Sequence, residues 1–203
     1  MKKIHQISGI VLSLFVSLHF CNHLMALSSV QMHIDWMNRF RLIYQNPFIE
    51  PFLLFAILAQ IVSGIQLVRN RGWRQVDIYN KIQVYSGIYL GFFLLMHTSA
   101  TLVGRFLLLV DTNFYYAAMV VNIKPIAFFY VPYYMLGTLS FFAHIACVLR
   151  LKSMRSNGRK KASRLANGIM VLGLVVTLLI IFAFTYQITL PQEYVDLVNR
   201  FIG

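Results

Sequence analysis

SGIVLSLFVSLH, residues Ser8 to His19, returns as SGIYLGFFLLMH, residues Ser86 to His97, an offset of 78 positions (86 minus 8). Six of the twelve positions are identical: the Ser-Gly-Ile start, Leu12 with Leu90, Phe15 with Phe93, and His19 with His97. Apolar composition alone does not align a serine, a glycine and a histidine, so the match is an internal repeat. Each copy lies inside an uncharged run near the ~20 residues that a helix needs to cross ~30 Å of hydrocarbon.

Outward from these copies the same pattern recurs, giving runs at roughly Ile7 to Leu27, Phe52 to Val68, Ile82 to Gly104, Ile126 to Leu149 and Leu165 to Leu190. Apolar residues make up 59% of the 203 and charged residues only 12%, too few to cover a water-soluble surface of this size. Spanning β-barrels are built from ~10-residue alternating segments, whereas these runs are continuously apolar. The expected fold is all-α: one transmembrane domain over residues 1–203, an integral membrane bundle of five helices.

The formal charge of +12 raises nucleic acid as a partner, and its placement decides against it. Alternate gaps put Lys2, Lys3, Arg69, Arg71, Arg74, Lys81, Arg150, Lys152, Arg155, Arg159, Lys160, Lys161 and Arg164 on one side. Arg39, Arg41, Arg105, Lys124 and Arg200 fall on the other. By the positive-inside rule the N-terminus is cytoplasmic and the C-terminus outside, in a bacterial-type inner membrane. Lys2 and Lys3 before an apolar run also suit a signal peptide, but the repeat requires the segment to be retained. Cys21 and Cys147 fall near opposite faces, beyond disulfide reach, and no Cys-x-x-Cys-His for covalent haem attachment occurs.

A weaker match at offset 81 sets Pro51 on Pro132, Leu58 on Leu139 and Arg69 on Arg150. Spans one plus two and spans three plus four thus form a parallel repeat about an axis along the membrane normal. Both His19 and His97 lie ten residues after the matching glycine, so their imidazoles share one depth, ~15 Å above it. Two imidazoles at one level on symmetry-related helices suit the two axial positions of a haem iron. Ser13, Ser17, Gly87 and Gly91 allow close approach of a backbone or a flat macrocycle.

Intramembrane ionisable groups call for a functional reading, although neutral histidines also pack by bonding to neighbouring helices. His23, one turn outward of His19, is an alternative ligand or a partner for a quinone oxygen. His144 lies below the pair, and its repeat mate is Ser63, so no second symmetric histidine pair is expected and His144 is structural or faces quinone. His5 and His33 fall at the membrane borders, where solvated histidines are ordinary. Trp36, Tyr44, Tyr115, Tyr116, Tyr130, Tyr133 and Tyr134 mostly suit an aromatic belt at the outer border, and a quinone pocket could use some of them.

With Ser8, Gly9 and His19 on the first span and His97 on the third, spans one to four resemble the five-helix dihaem cytochrome b anchor of succinate dehydrogenase and fumarate reductase complexes. The resemblance implies that His19 and His97 ligate one b-type haem. The family's second ligand pair would fall near Ser63 and on His144, so this chain looks like a monohaem variant. It also implies electron transfer between membrane quinone and flavin and iron-sulfur subunits docked on the cytoplasmic gaps Arg69 to Lys81 and Arg150 to Arg164.

The chain itself carries no nucleotide loop and no cysteine cluster, so it is expected to be a non-catalytic electron-transfer subunit. Arg105, two turns outward of His97, is the first candidate partner for haem propionates, with Arg39 and Arg41 as alternatives. Glu50 is a candidate proton relay, and as a carboxylate in a first helical turn it is equally at home near the dipole. The competing expectation is a haem-free membrane scaffold or transporter.

Overall fold

The computed structural model describes residues 1–71 and 77–202. Arg74 and the middle of the Arg69 to Lys81 gap lie outside them. Seven helices and no strand occur among the described residues: α1 Lys2–Met25, α2 Val30–Tyr44, α3 Ile49–Arg71, α4 Ile78–Phe106, α5 Phe114–Asn122, α6 Ala127–Thr185 and α7 Gln192–Ile202. The long helices exceed the apolar runs because their backbone hydrogen bonding continues into the charged borders. Side-chain caps start three of them: Ser29 accepts the Met32 N–H, Asp77 that of Tyr79, and Asn113 that of Tyr115.

Four helices among the described residues, α1, α3, α4 and α6, are long and apolar enough to cross a membrane. The 59 residues of α6 would span ~90 Å if straight, about three times the hydrocarbon core. The helix is not straight, because Gly158 adopts φ 74°, ψ 162°, a conformation that other residues rarely take. The chain doubles back there. Arg150 Nε donates to Ser163 Oγ at 3.0 Å, and Gly173 is pressed so closely against Phe142 that a methyl group would overlap it. Arms 127–157 and 159–185 are therefore antiparallel neighbours.

The central arrangement is a ring of four: α1 packs on α3, α3 on α4, α4 on the first arm of α6, and that arm on α1. The α1–α3 and α4–α6 packings are the most extensive. Across the diagonals the backbones of α1 and α4, and of α3 and α6, do not meet among the described residues. Along the axis runs a cavity of about 1850 Å³, bordered from Lys2 to His23 on α1 and from Gln83 to Arg105 on α4.

The short helices α2, α5 and α7 gather at one end of this ring, which they cap. Phe114, Ala118 and Val121 of α5 are buried with Ala183 and Phe184 of α6, with Val30 and Ile34 of α2 alongside. Met119 packs with Tyr194, Leu197 and Val198, the buried i, i+3, i+4 face of α7. The opposite end carries the N-terminus and the Gly158 turn and has no such cap among the described residues.

Candidate functional site

His19 and His97 project from the diagonal helices α1 and α4 into the axial cavity, their ring centroids 6.1 Å apart and their planes at 67°. Neighbouring aromatics set both rings. His19 stacks on Phe15 at 6.0 Å and His97 on Phe93 at 5.3 Å, each using the phenylalanine four residues earlier in the repeated segment. Tyr134 meets His97 edge-on at 6.0 Å, and buried Tyr133 lies 4.9 Å from Phe93. Tyr134 lines the cavity, and Tyr133 packs on Phe93 without bordering the cavity.

Outward of the pair stands a row of further imidazoles. His23 Nε2 is 3.0 Å from His19 Nε2, and His23 Nδ1 is 3.1 Å from His33 Nε2. Asn22 Nδ2 also reaches His33 Nε2, at 3.2 Å. A neutral imidazole carries one proton, so the row has two arrangements. In one, His19 donates toward His23 and His23 toward His33; in the other, His33 donates toward His23 and His23 toward His19, which leaves the His19 Nε2 lone pair as the acceptor. In either arrangement His19 Nε2 is occupied by His23, so a metal could bind there only after that hydrogen bond is broken.

His33 corrects the expectation of a solvated border residue. It is 2% exposed because α2 folds back over the ring end and buries it with Met37, one turn on. Phe114 and Phe184 flank it at 5.3 and 5.5 Å. Burial, with the positive Arg41 adding to it, holds the His33 pKa down to about 4. Its Nδ1 and the Asn22 Oδ1 are buried without a hydrogen-bond partner among the described residues.

The second level of histidines lies toward the uncapped end. His5, read from the sequence as a solvated border residue, is half-buried, with Nδ1 3.1 Å from Ser63 Oγ and Nε2 3.3 Å from Gln60 Nε2. Ser8 Oγ donates to Gln60 Oε1 at 2.6 Å and completes the network. His144 Nδ1 donates to the Gln83 carbonyl at 3.0 Å, with its ring against Gly87, where a larger residue would crowd it. Gln83 is the repeat mate of His5, so both rings lie ~21 Å below the outer pair along the helices.

Arg105 and Glu50 form a two-fork ion pair at the capped end, with Arg105 Nη2 donating to Glu50 Oε2 at 3.3 Å and Nη1 to Oε1. Both border the cavity. Arg41 pairs with Asp111 at 2.8 Å, and Arg39 lies over Trp36 at 5.2 Å. Cys21 and Cys147 are free thiols.

Among the described residues no group of three or more His, Cys, Asp or Glu is placed to hold a bare metal ion. A macrocycle-borne iron asks less of the protein, namely two axial ligands. With metal–imidazole bonds of ~2.0–2.1 Å, two rings on opposite sides of one metal have centroids about 6.3 Å apart. The observed 6.1 Å is close to that separation, with the rings in edge geometry and His19 Nε2 engaged by His23. The axial cavity also exceeds the ~300–1,000 Å³ of ordinary small-molecule sites.

Comparison with protein-family models, with curated proteins and with solved structures finds no match.

Proposed function

We propose that this chain crosses a bacterial-type inner membrane five times, the arms of α6 being separate spans, with the N-terminus cytoplasmic and the C-terminus outside. On this reading spans one plus two and three plus four form a parallel repeat, and one b-type haem is held axially by His19 and His97. Its function is to pass electrons between membrane quinone and a soluble flavin and iron-sulfur partner of succinate dehydrogenase or fumarate reductase type. The observation that carries the reading is the facing pair of imidazoles across the α1–α4 diagonal, at the separation one iron asks for.

Haem supplies reversible one-electron chemistry when bound. The residues of the chain do the rest. Phe15 and Phe93 fix the ligand rings in stacked orientation, and Tyr134 closes the wall, with Tyr133 packed on Phe93. Ligation of a metal through His19 Nε2 would break its hydrogen bond with His23, and the His23 Nε2–H would then be free to donate to a quinone oxygen. Arg105 has five N–H groups, of which Glu50 engages two, so the others serve a propionate without loss of the ion pair.

His144 remains the quinone-facing or structural residue on this reading, with its Nδ1 occupied by Gln83. A haem count of one rests on Ser63 standing where a second ligand would be needed. Because the His5 ring lies beside Ser63, two haems per chain falling to one in His5→Ala would correct that count.

The test is the absorption spectrum of purified protein. A low-spin b-type spectrum is expected, and it should vanish in His19→Ala and in His97→Ala. A chain that stays colourless after haem supplementation would instead be the haem-free scaffold or transporter.

A further inference from the structure

The charge of this protein is divided unequally between the two ends of the ring. Five carboxylates, Asp35, Glu50, Asp111, Glu193 and Asp196, belong to the capped end and match its five cations. The uncapped end has thirteen cations and one carboxylate, Asp77, so the whole formal charge of +12 resides there. Asp77 is already engaged. Arg150 Nη1 donates to it at 3.0 Å, and the Arg150 guanidinium, 1% exposed, lies over the Tyr79 ring at 3.9 Å. No carboxylate is left on this end for the other cations.

Four of those cations converge on one place. Lys2 of α1, Arg69 of α3, and Lys152 and Arg155 of α6 border the axial cavity at its uncapped mouth, and none makes an ion pair among the described residues. Just inside this rim the lining is mostly apolar, with Ile65 and Val68 on α3 and Val148 and Leu151 on α6, and His5 and Gln6 of α1 are the polar side chains beside them. The positive-inside rule accounts for the number of cations on this side but not for a ring of them around an apolar shaft. An acidic protein surface would neutralise the rim and leave the shaft unfilled. An anionic head joined to hydrocarbon satisfies both parts.

We propose that the uncapped mouth is a binding site for one anionic phospholipid of the cytoplasmic leaflet, its phosphate held by Lys2, Arg69, Lys152 and Arg155 and its acyl chain in the shaft. The proposal is independent of the haem assignment, since it uses neither histidine level. Cations at a membrane surface each strengthen attachment to anionic lipid, so two removed together weaken it roughly thirtyfold.

The test is lipid retention by the purified full-length protein in detergent, measured by native mass spectrometry and by titration. The probes are phosphatidylglycerol, phosphatidylcholine with the same chains, and inorganic phosphate. One phosphatidylglycerol per chain should be retained, with neither phosphatidylcholine nor phosphate replacing it. Lys152→Gln with Arg155→Gln should weaken retention roughly thirtyfold, whereas Arg159→Gln with Lys160→Gln, equal in charge but away from the rim, should leave it unchanged.

Equal retention of phosphatidylcholine, or equal loss in both double variants, would overturn the proposal. Displacement of the lipid by polyglutamate would assign the rim to an acidic protein, and loss of haem from the rim variant would assign it to propionates. Displacement by phosphate alone would reduce it to an anion site.

Discussion

The two histidine levels of the axial cavity use the same side chain in opposite ways. At the inner level each ring is tied to its own half of the ring of helices: His5 to Ser63 and Gln60 on α3, His144 to the Gln83 carbonyl on α4. At the outer level the rings face each other across the diagonal, and the His97 nitrogens have no hydrogen-bond partner among the described residues. Inner imidazoles spend their polar capacity holding neighbouring helices together. Of the outer pair, His19 spends Nε2 on His23, and His97 keeps its polar capacity for what lies between the helices.

Substitution at the two levels gives the largest contrast. His97→Ala should abolish the haem spectrum, while His144→Ala should retain it with the bands in place, as absorption spectra of matched samples will show. Loss of the signal in His144→Ala would put a ligand at the wrong level and collapse the distinction.

The cap that closes the outer level should be the next most sensitive region. Phe114 is fully buried against Phe184, at 4.5 Å between centroids, and also flanks His33. Phe114→Ala should destabilise the protein by about 3–5 kcal/mol in detergent unfolding measurements. A cost under about 1 kcal/mol would mean that the cap does not hold the outer level closed.

Acid should act on the outer level through His33. Its folded pKa, about 4 against an ordinary 6.5, means that the unfolded chain takes up a proton first. Stability should therefore hold above pH 6.5, fall as the pH drops from 6.5 toward about 4, and lose up to about 3 kcal/mol to this group. Unfolding curves across that window should show the slope in the native chain and a shallower one in His33→Gln.

The smallest effect belongs to the inner level. His5→Ala removes two polar contacts between α1 and α3 and should cost about 1–2 kcal/mol with no change in the haem spectrum. A spectral change there would make His5 more than a tie.

The helical membrane character was legible because uncharged runs of membrane-crossing length leave few other solutions. Five runs were expected, and they fall on four long helices, the last carrying two runs either side of Gly158. The cap was not legible from hydropathy, because α2 and α7 mix charges with apolar residues. Its signal lay in helical spacing: His33 with Met37, and Tyr194 with Leu197 and Val198, are the buried faces. Reading His33 by its distance from a span placed it in water, whereas a surface helix returned it to the interior.

The nearness of His19 and His97 was legible from their equal spacing after Gly9 and Gly87, whereas border position could not tell which tyrosines line the cavity, as Tyr134 does and Tyr133 does not. The ion pair of Arg105 with Glu50 joins residues 55 apart in sequence and had no local signal.

Electron paramagnetic resonance of the oxidised, haem-supplemented protein, together with its haem-to-chain ratio, tests the central claim most directly. One low-spin haem per chain with a bis-imidazole signature, lost on replacing either His19 or His97, is the predicted result. A protein that binds no haem, or binds it high-spin and unchanged in both variants, would contradict the account.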